Sequence, residues 1–426
     1  MVRDGKLQNM MNDQETIAYL RTPAAIRQRC DRMFKLACDR QLNYFRCDLS
    51  KLDKTADYVI DVMRENYPDL DIPFHSRWRH FEVGDSSRLD ELERDLTPIE
   101  TAKVKFDLAI ISVLLDAGAG ADWQYYEQET GQVFRRSEGL AVASLRMFCQ
   151  GAFSSNPEQP LQADAKALKA ITIEKLAQGF QVSSENPLVG LEGRVKLLQR
   201  LGEILTQNPI FFGAENSRPG NLVDYLLQNK ISTCTHLPTR PSTHLPASLV
   251  LTAVLEGIGE IWPGRLTITG VNLGDVWIHP ALGGEKESDR YIPFHKLSQW
   301  LTYSLLEPLQ ELGVEITGLE VMTGLPEYRN GGLCLDMGLL EVVGEDMLQE
   351  SHLPGSEVIV EWRALTVILL DQIAAAIREK LNLNESQLPL VKILQGGTWN
   401  AGRKIAAQLR PGGVPPIQIE SDGTVF

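Results

Sequence analysis

No CxxC pair occurs in the sequence, and its six cysteines, at 30, 38, 47, 149, 234 and 334, are scattered through 426 residues. That spacing excludes a zinc ribbon and builds no disulfide framework, so the thiols read as reduced in a cytoplasmic protein. Long apolar runs are missing too. The cleanest, Leu108 to Leu115, is far too short to span a bilayer. The polar stretch Met1 to Glu15 lacks the apolar segment of a signal peptide. There is no run of Lys and Arg fit to track DNA or RNA, and a net charge of −14 repels a polyphosphate backbone. Neither a nucleic-acid nor a membrane partner is therefore expected. A small anionic ligand stays open, because a pocket needs only two or three cations. HExxH, GxSxG and a GxGxxG followed by an acid are absent. Cys234, His236 and His244 match no standard zinc spacing. No metal and no cofactor is expected.

What is there is ample core material. The chain is 43% apolar and 23% charged, a globular composition. Three regions are expected: a helical 1–97, a helical 98–260 with a β-hairpin, and a helical 261–426 that carries the candidate catalytic motifs. Residues 13–66 mix polar and apolar positions at helical spacing, and an acidic stretch, Asp90 to Asp95, follows a loop rich in aromatic and basic residues (Arg77, Trp78, Arg79, His80, Phe81). A strongly apolar helix over 98–116 stops at Asp116-Ala117-Gly118-Ala119-Gly120. Residues 123–127 and 132–136 flank Gln128-Glu129-Thr130-Gly131 as a hairpin, and Ser137 reads as the N-cap of the next helix. Further helices are predicted near 162–178, 188–206, 220–229 and 245–257. A Pro/Thr/His loop over 232–246 and a short β-containing stretch over 261–279 come next. The C-terminal half has a helix from Pro293 to Leu312, two helices between 319 and 342, and a buried helix over 358–378. A strand over 388–394 then feeds Gly396-Gly397 and a last helix. The class is mainly α, or α+β.

Four segments carry candidate chemistry. In Thr323-Gly324-Leu325-Pro326-Glu327-Tyr328-Arg329, Pro326 starts a helix and puts Glu327 in its first turn, where the macrodipole lowers a carboxylate pKa. Such a carboxylate suits chemistry that builds positive charge, although first-turn acids often stabilise only their own helix. Lys296 stands on an amphipathic helix in a stripe with Trp300, Tyr303 and Glu307. It could aim at a phosphate or sugar oxygen, or simply snorkel. Gly397 to Lys404 has the order strand, glycine loop, helix, but Arg403 and Lys404 replace the Lys and Ser/Thr of a P-loop, which excludes an ATPase. Glu361 and Arg363, inside an apolar helix, need partners or line a polar pocket.

Several segments together resemble one family. They are Leu114-Leu-Asp-Ala-Gly-Ala-Gly120, Arg136-Ser-Glu-Gly-Leu-Ala-Val-Ala-Ser144, Asn186-Pro-Leu-Val-Gly-Leu-Glu-Gly-Arg194, Arg218-Pro-Gly-Asn-Leu-Val-Asp-Tyr225, Gly270-Val-Asn-Leu-Gly-Asp-Val-Trp277, Pro293-Phe-His-Lys-Leu297 and Ile419-Glu-Ser-Asp-Gly-Thr-Val-Phe426. Over residues 20–426 the chain resembles the uracil catabolism protein four family of fungi and bacteria. That implies a place in a pyrimidine breakdown route in which uracil becomes a ribonucleotide, the ring is opened and urea is released.

A more distant resemblance is to the queuosine-nucleotide N-ribohydrolases, whose fold is like the helix-hairpin-helix DNA glycosylases. His295-Lys296-Leu297-Ser298-Gln299 is similar to their aromatic-Lys-Arg-Ala-Gln helix. Pro326-Glu327-Tyr328-Arg329 is similar to their Ala-Asp-Tyr-Arg motif, with Glu327 31 residues after Lys296. Val360-Glu361-Trp362-Arg363 is similar to a third motif, Val-Glu-Ile-Arg, and Gln132 to Ser144 resembles a hairpin followed by a substrate-lining helix. The sequence departs from that pattern at Glu327, where the family has aspartate, and at His295, where it has an aromatic. The resemblance implies a glycosylase-like helical core and a metal-independent N-ribohydrolase acting on a small ribosyl or nucleotide substrate. Glu327 and Lys296 would be catalytic, Arg329 and Arg363 anion ligands, and Asp116, Trp123 and Glu138 readers of the leaving group, with Arg136, Tyr328 and Glu361 also in the substrate site. The alternative is a non-catalytic pyrimidine-nucleotide-binding or partner protein of the same pathway.

Overall fold

The computed structural model describes residues 12–84, 88–92, 96–120, 122–229, 231–232, 243–262 and 265–420. Most of Met1 to Glu15, the acids at 93–95, Cys234, His236 and the end of the chain from 421 lie outside them. Helix dominates, and the sheets among the described residues have only two or three strands. Helices Asp13–Leu20, Pro23–Cys38 and Leu52–Asn66 fill the first region, with the strand Phe45–Cys47 between the last two. Thr22 starts the Pro23 helix in a standard way: its hydroxyl accepts from the Ala25 N–H at 3.1 Å, and proline occupies the first turn. Thr97 and Pro98 repeat the device on the apolar helix Pro98–Leu114, which is buried on nearly every side.

The hairpin pairs Gln124–Glu127 with Gln132–Arg135, Tyr126 opposite Val133. The next helix, Arg136–Cys149, begins one residue before Ser137, so Ser137 is not its cap. Its hydroxyl is drawn instead to Asp116, 2.5 Å away. Leu191–Gln207, Leu222–Gln228 and Ala247–Ile258 form close to the predicted places, while 162–178 divides into Ala165–Lys169 and Ile173–Gly179. The long helix Glu357–Leu381 runs through the centre, packed on the Pro23 and Leu52 helices and ended by Asn382 in a left-handed conformation (φ 51°). One apolar core extends from Ile26 to Ile417 and draws on all three sequence regions.

Three expectations fail locally. The 388–394 strand is helical: Leu390–Ile393 leads through a π turn, Leu394–Thr398, straight into the helix Trp399–Leu409. A short apolar run does not separate strand from buried helix. Its glycines serve contact rather than a loop, since a Cβ on Gly397 would meet Val59 at 2.7 Å and one on Gly396 would meet Ile72 at 2.8 Å. Pro293 closes a strand, Tyr291–Pro293, and the helix begins at Lys296 after His295 turns left-handed (φ 47°). Residues 319–342 hold one α-helix, Tyr328–Asp336, after a 3-10 turn at Leu319–Val321.

A proline inside the Lys296–Glu311 helix has a visible use. Pro308 has no N–H for the Ser304 carbonyl four residues earlier. The Trp78 indole N–H donates to that carbonyl at 2.7 Å, and the Arg77 N–H donates to the Ser304 hydroxyl at 2.9 Å. The loop with His75 and His80 is thereby fastened to the Lys296 helix.

Candidate functional site

Helix ends and helix crossings converge on a cavity of about 360 Å³, within the range of small-molecule pockets. The Lys296 helix contributes Lys296 and Trp300, and the start of the Tyr328 helix contributes Glu327, Tyr328 and Arg329. Asp116 to Gly120, just past the Pro98 helix, form a second wall beside Arg136, Ser137 and Glu138. Trp399 and Arg403 come from the last long helix, and His75 and His80 from the fastened loop.

Glu327 is the N-cap of its helix rather than a first-turn residue. One carboxylate oxygen accepts from the Arg329 N–H at 2.8 Å and the other from the Asn330 N–H at 2.5 Å. The group is 8% exposed. Burial pushes its pKa up, against the opposite pull of those two amides and of the Lys296 and Arg329 charges. The expected lowering by the helix terminus is thus present but outweighed. Burial likewise lowers the Lys296 ammonium, against the stabilising charges of Glu327 and Asp116. Lys296 is half-buried in the cavity wall, not on the outer surface. Asp275 fixes the start of its helix by accepting the Lys296 N–H at 3.0 Å.

The Asp116 wall is built from buried arginines. Arg194, fully buried, donates to the carbonyls of Leu115, Ala117, Gly118 and Val189. Burial lowers its guanidinium to about 10 despite Asp116 nearby. Arg77, also fully buried, pairs with Asp116 at 3.1 Å and reaches Ser112 at 2.8 Å. Arg403 and Glu138 pair at 3.2 Å between two of the helices that line the cavity. Arg329 is buried, donates to the Gly413 carbonyl at 2.7 Å and stacks on Tyr328.

Seven of the ten expected residues therefore share one cavity: Asp116, Arg136, Glu138, Lys296, Glu327, Tyr328 and Arg329. Trp123, Glu361 and Arg363 are placed elsewhere. Trp123 packs against Phe180 and donates its indole N–H to the Phe180 carbonyl at 2.9 Å, beneath the helix that carries Glu138. Glu361 accepts from the Asn43 and Tyr44 amides. Arg363 makes two 2.8 Å bonds to Asp275, which holds the start of the Lys296 helix, and its Nε donates to the Pro326 carbonyl at 3.4 Å, next to Glu327. His75, His80, Trp300, Trp399 and Arg403 also line the cavity. The basic-aromatic loop around Arg77 and the stripe shared by Lys296 and Trp300 were the available signals. Among the described residues, no group of three His, Cys, Asp or Glu side chains is arranged to hold a metal. No described helix is long and apolar enough to cross a membrane.

These features define a mainly α protein with a charged, aromatic-lined cavity of ligand size. The chain belongs to the family described as "Protein of unknown function (DUF1688)", whose match covers residues 19–426. It is similar to "Protein urg3" of Schizosaccharomyces pombe, with 41% identity over 423 residues, 97% of this chain and 99% of that protein. It is also similar to "Uracil catabolism protein 4" of Lachancea kluyveri, with 38% identity over 449 residues, 98% of this chain and 100% of that protein.

Proposed function

We propose that the protein is a cytoplasmic, metal-independent hydrolase of uracil catabolism that cleaves the N-glycosidic bond of a small ribosyl compound, a phosphorylated ribosyl-urea. The name of the Lachancea kluyveri relative supports the pathway. The observation that carries the chemistry is Glu327 beside Lys296 in one cavity, its carboxylate pinned by two backbone amides. The same pairing of a helix-start carboxylate with a lysine supports the glycosylase-like reading of the helical core.

Breaking the C1′–N bond leaves positive charge on the anomeric carbon. A fixed carboxylate stabilises that charge and needs no reorganisation as the charge develops. Glu327 also orients the water whose oxygen bonds to C1′, and the water's proton goes to the departing nitrogen. Lys296 binds a sugar oxygen and keeps Glu327 ionised. Arg329 and Arg136 face the phosphate. Asp116 and Glu138 hydrogen-bond the rest of the substrate.

Purified protein is supplied with ribosyl-urea 5-phosphate, and free urea and ribose phosphate are measured. Equal release of both is expected. Thermal stabilisation by the compound without any release would sink the hydrolase reading and leave a non-catalytic binder.

A further inference from the structure

Four aromatic rings of the cavity are left unused by that chemistry. His80 meets Trp300 edge-on at 5.7 Å between ring centres and Trp399 edge-on at 6.2 Å. His75 lies 5.9 Å from Trp399 and 6.5 Å from Trp300. The two imidazoles and two indoles thus bound one part of the cavity together. Burial holds His75 down at about 4 and His80 well below the ordinary histidine value, so both are neutral at pH 7.

Their hydrogen bonds are incomplete. Trp300 is 6% exposed, yet its indole N–H has no partner among the described residues, whereas the His80 imidazole is engaged with the Ser76 backbone. Buried polar groups in this state are uncommon, and one on a cavity wall is available to a ligand. The His75 Nδ1 lies 2.9 Å from the Gln395 Oε1, an acceptor, so the imidazole proton belongs on Nδ1. Its Nε2 is then an acceptor. The rings accordingly offer one donor, at Trp300, and one acceptor, at His75. A phosphate or carboxylate brings acceptors only and meets the His75 lone pair unfavourably. A planar amide edge brings N–H and C=O side by side.

We propose that the His75, His80, Trp300 and Trp399 end of the cavity is the subsite for a planar, uncharged amide-bearing leaving group, a ureide or a pyrimidine ring, whose C=O accepts from the Trp300 indole and whose N–H donates to the His75 Nε2. This assignment rests on the hydrolase reading for the term leaving group, but the binding it describes is measurable without turnover. The specificity of the site comes from this polar edge, while Lys296, Arg136 and Arg329 hold the ribosyl phosphate.

Calorimetric titration of the wild-type protein compares uridine with a phenyl C-riboside, which has a planar ring without N–H or C=O, and with ribose 5-phosphate. Uridine is expected to bind about tenfold more tightly than the phenyl compound. Trp300→Phe keeps a ring and removes the indole N–H, so it should weaken uridine by about threefold to tenfold, the worth of one neutral hydrogen bond. Ribose 5-phosphate should change less than about twofold. Equal affinity for uridine and the phenyl compound in the wild type overturns the proposal, whether or not the variant folds. So does an equal loss of uridine and ribose 5-phosphate in a variant of native melting temperature. Uridine discrimination without hydrolysis of any ribosyl compound would refute the hydrolase alone. Hydrolysis without that discrimination would refute the subsite alone.

Discussion

Gly402 offers a sharp test, because two physical effects of opposite sign meet there. The residue lies in the Trp399–Leu409 helix, where alanine is intrinsically better than glycine by about 1 kcal/mol. A Cβ at this position would stand 2.2 Å from the Arg329 carbonyl oxygen and 2.8 Å from its carbon. Both are backbone atoms, so no rotamer change relieves them. The Trp399 and Tyr328 helices must part by about 1 Å before the contact becomes ordinary. Overpacking of this kind costs about 1–3 kcal/mol, so Gly402→Ala is expected to destabilise by up to about 2 kcal/mol net. The separation also moves Trp399 and Arg403 away from Glu327 and Arg329 across the cavity. A 1 Å misplacement can cost about a hundredfold in rate. The control is Gly193→Ala in the Leu191–Gln207 helix, where an added Cβ meets nothing within 4 Å. That change should stabilise by up to about 1 kcal/mol. Urea unfolding of both variants, with ligand titration, reads the comparison. If Gly402→Ala is as stable as Gly193→Ala and binds ligand normally, the close helix crossing does not hold the cavity together.

Four other outcomes are expected. Glu327→Gln should abolish turnover while moving stability by only about 1 kcal/mol, since one of two cap bonds is lost and a buried charge is removed; full activity in a folded variant would remove Glu327 from the mechanism. The kcat/KM profile should be bell-shaped and narrowed from both sides, because ionised Glu327 titrates above the ordinary 4.5 and protonated Lys296 below the ordinary 10.5. The stability sign follows from the same shift: a raised folded pKa favours the fold below the unfolded value, and this contribution is lost as pH rises through the folded value. Melting of Glu327→Gln relative to wild type should therefore improve from pH 4 to pH 7, and a constant difference would contradict the burial argument. Arg194→Met should leave the carbonyls of Leu115, Ala117, Gly118 and Val189 without their donor and destabilise by about 3 kcal/mol or more. Unchanged chemical denaturation would show that the Asp116 wall does not depend on it.

Periodicity located the helices that matter, because apolar faces such as Leu297, Leu301, Leu305 and Leu309 leave little choice once a core must form. It misplaced their starts. Pro293 and Ser137 have the chemistry of helix beginnings, yet His295 in a left-handed conformation and the pull of Asp116 on the Ser137 hydroxyl moved both boundaries. The 388–394 run was read as a strand for a different reason: its helical state goes with the close packing of Gly397 on the Leu52–Asn66 helix and of Gly396 on Ile72, which is invisible locally. At the site, Glu327 and Lys296 were legible through motif spacing. His75 and His80 were not, because what brings them to the cavity is a long-range bond from Trp78 to Ser304. Arg363 looked like a ligand from its motif, but its guanidinium bonds Asp275 and the Pro326 carbonyl.

The Trp78 bond has a consequence for how this site is kept in register. A helix without Pro308 would present no spare acceptor at Ser304, and the segment bearing both imidazoles would lose its mooring. The interruption thus works as an alignment notch, cut into the same rod that carries the lysine. Errors in one element are then shared by the other, so the acidic-basic pair and the aromatic corner shift together rather than drift apart.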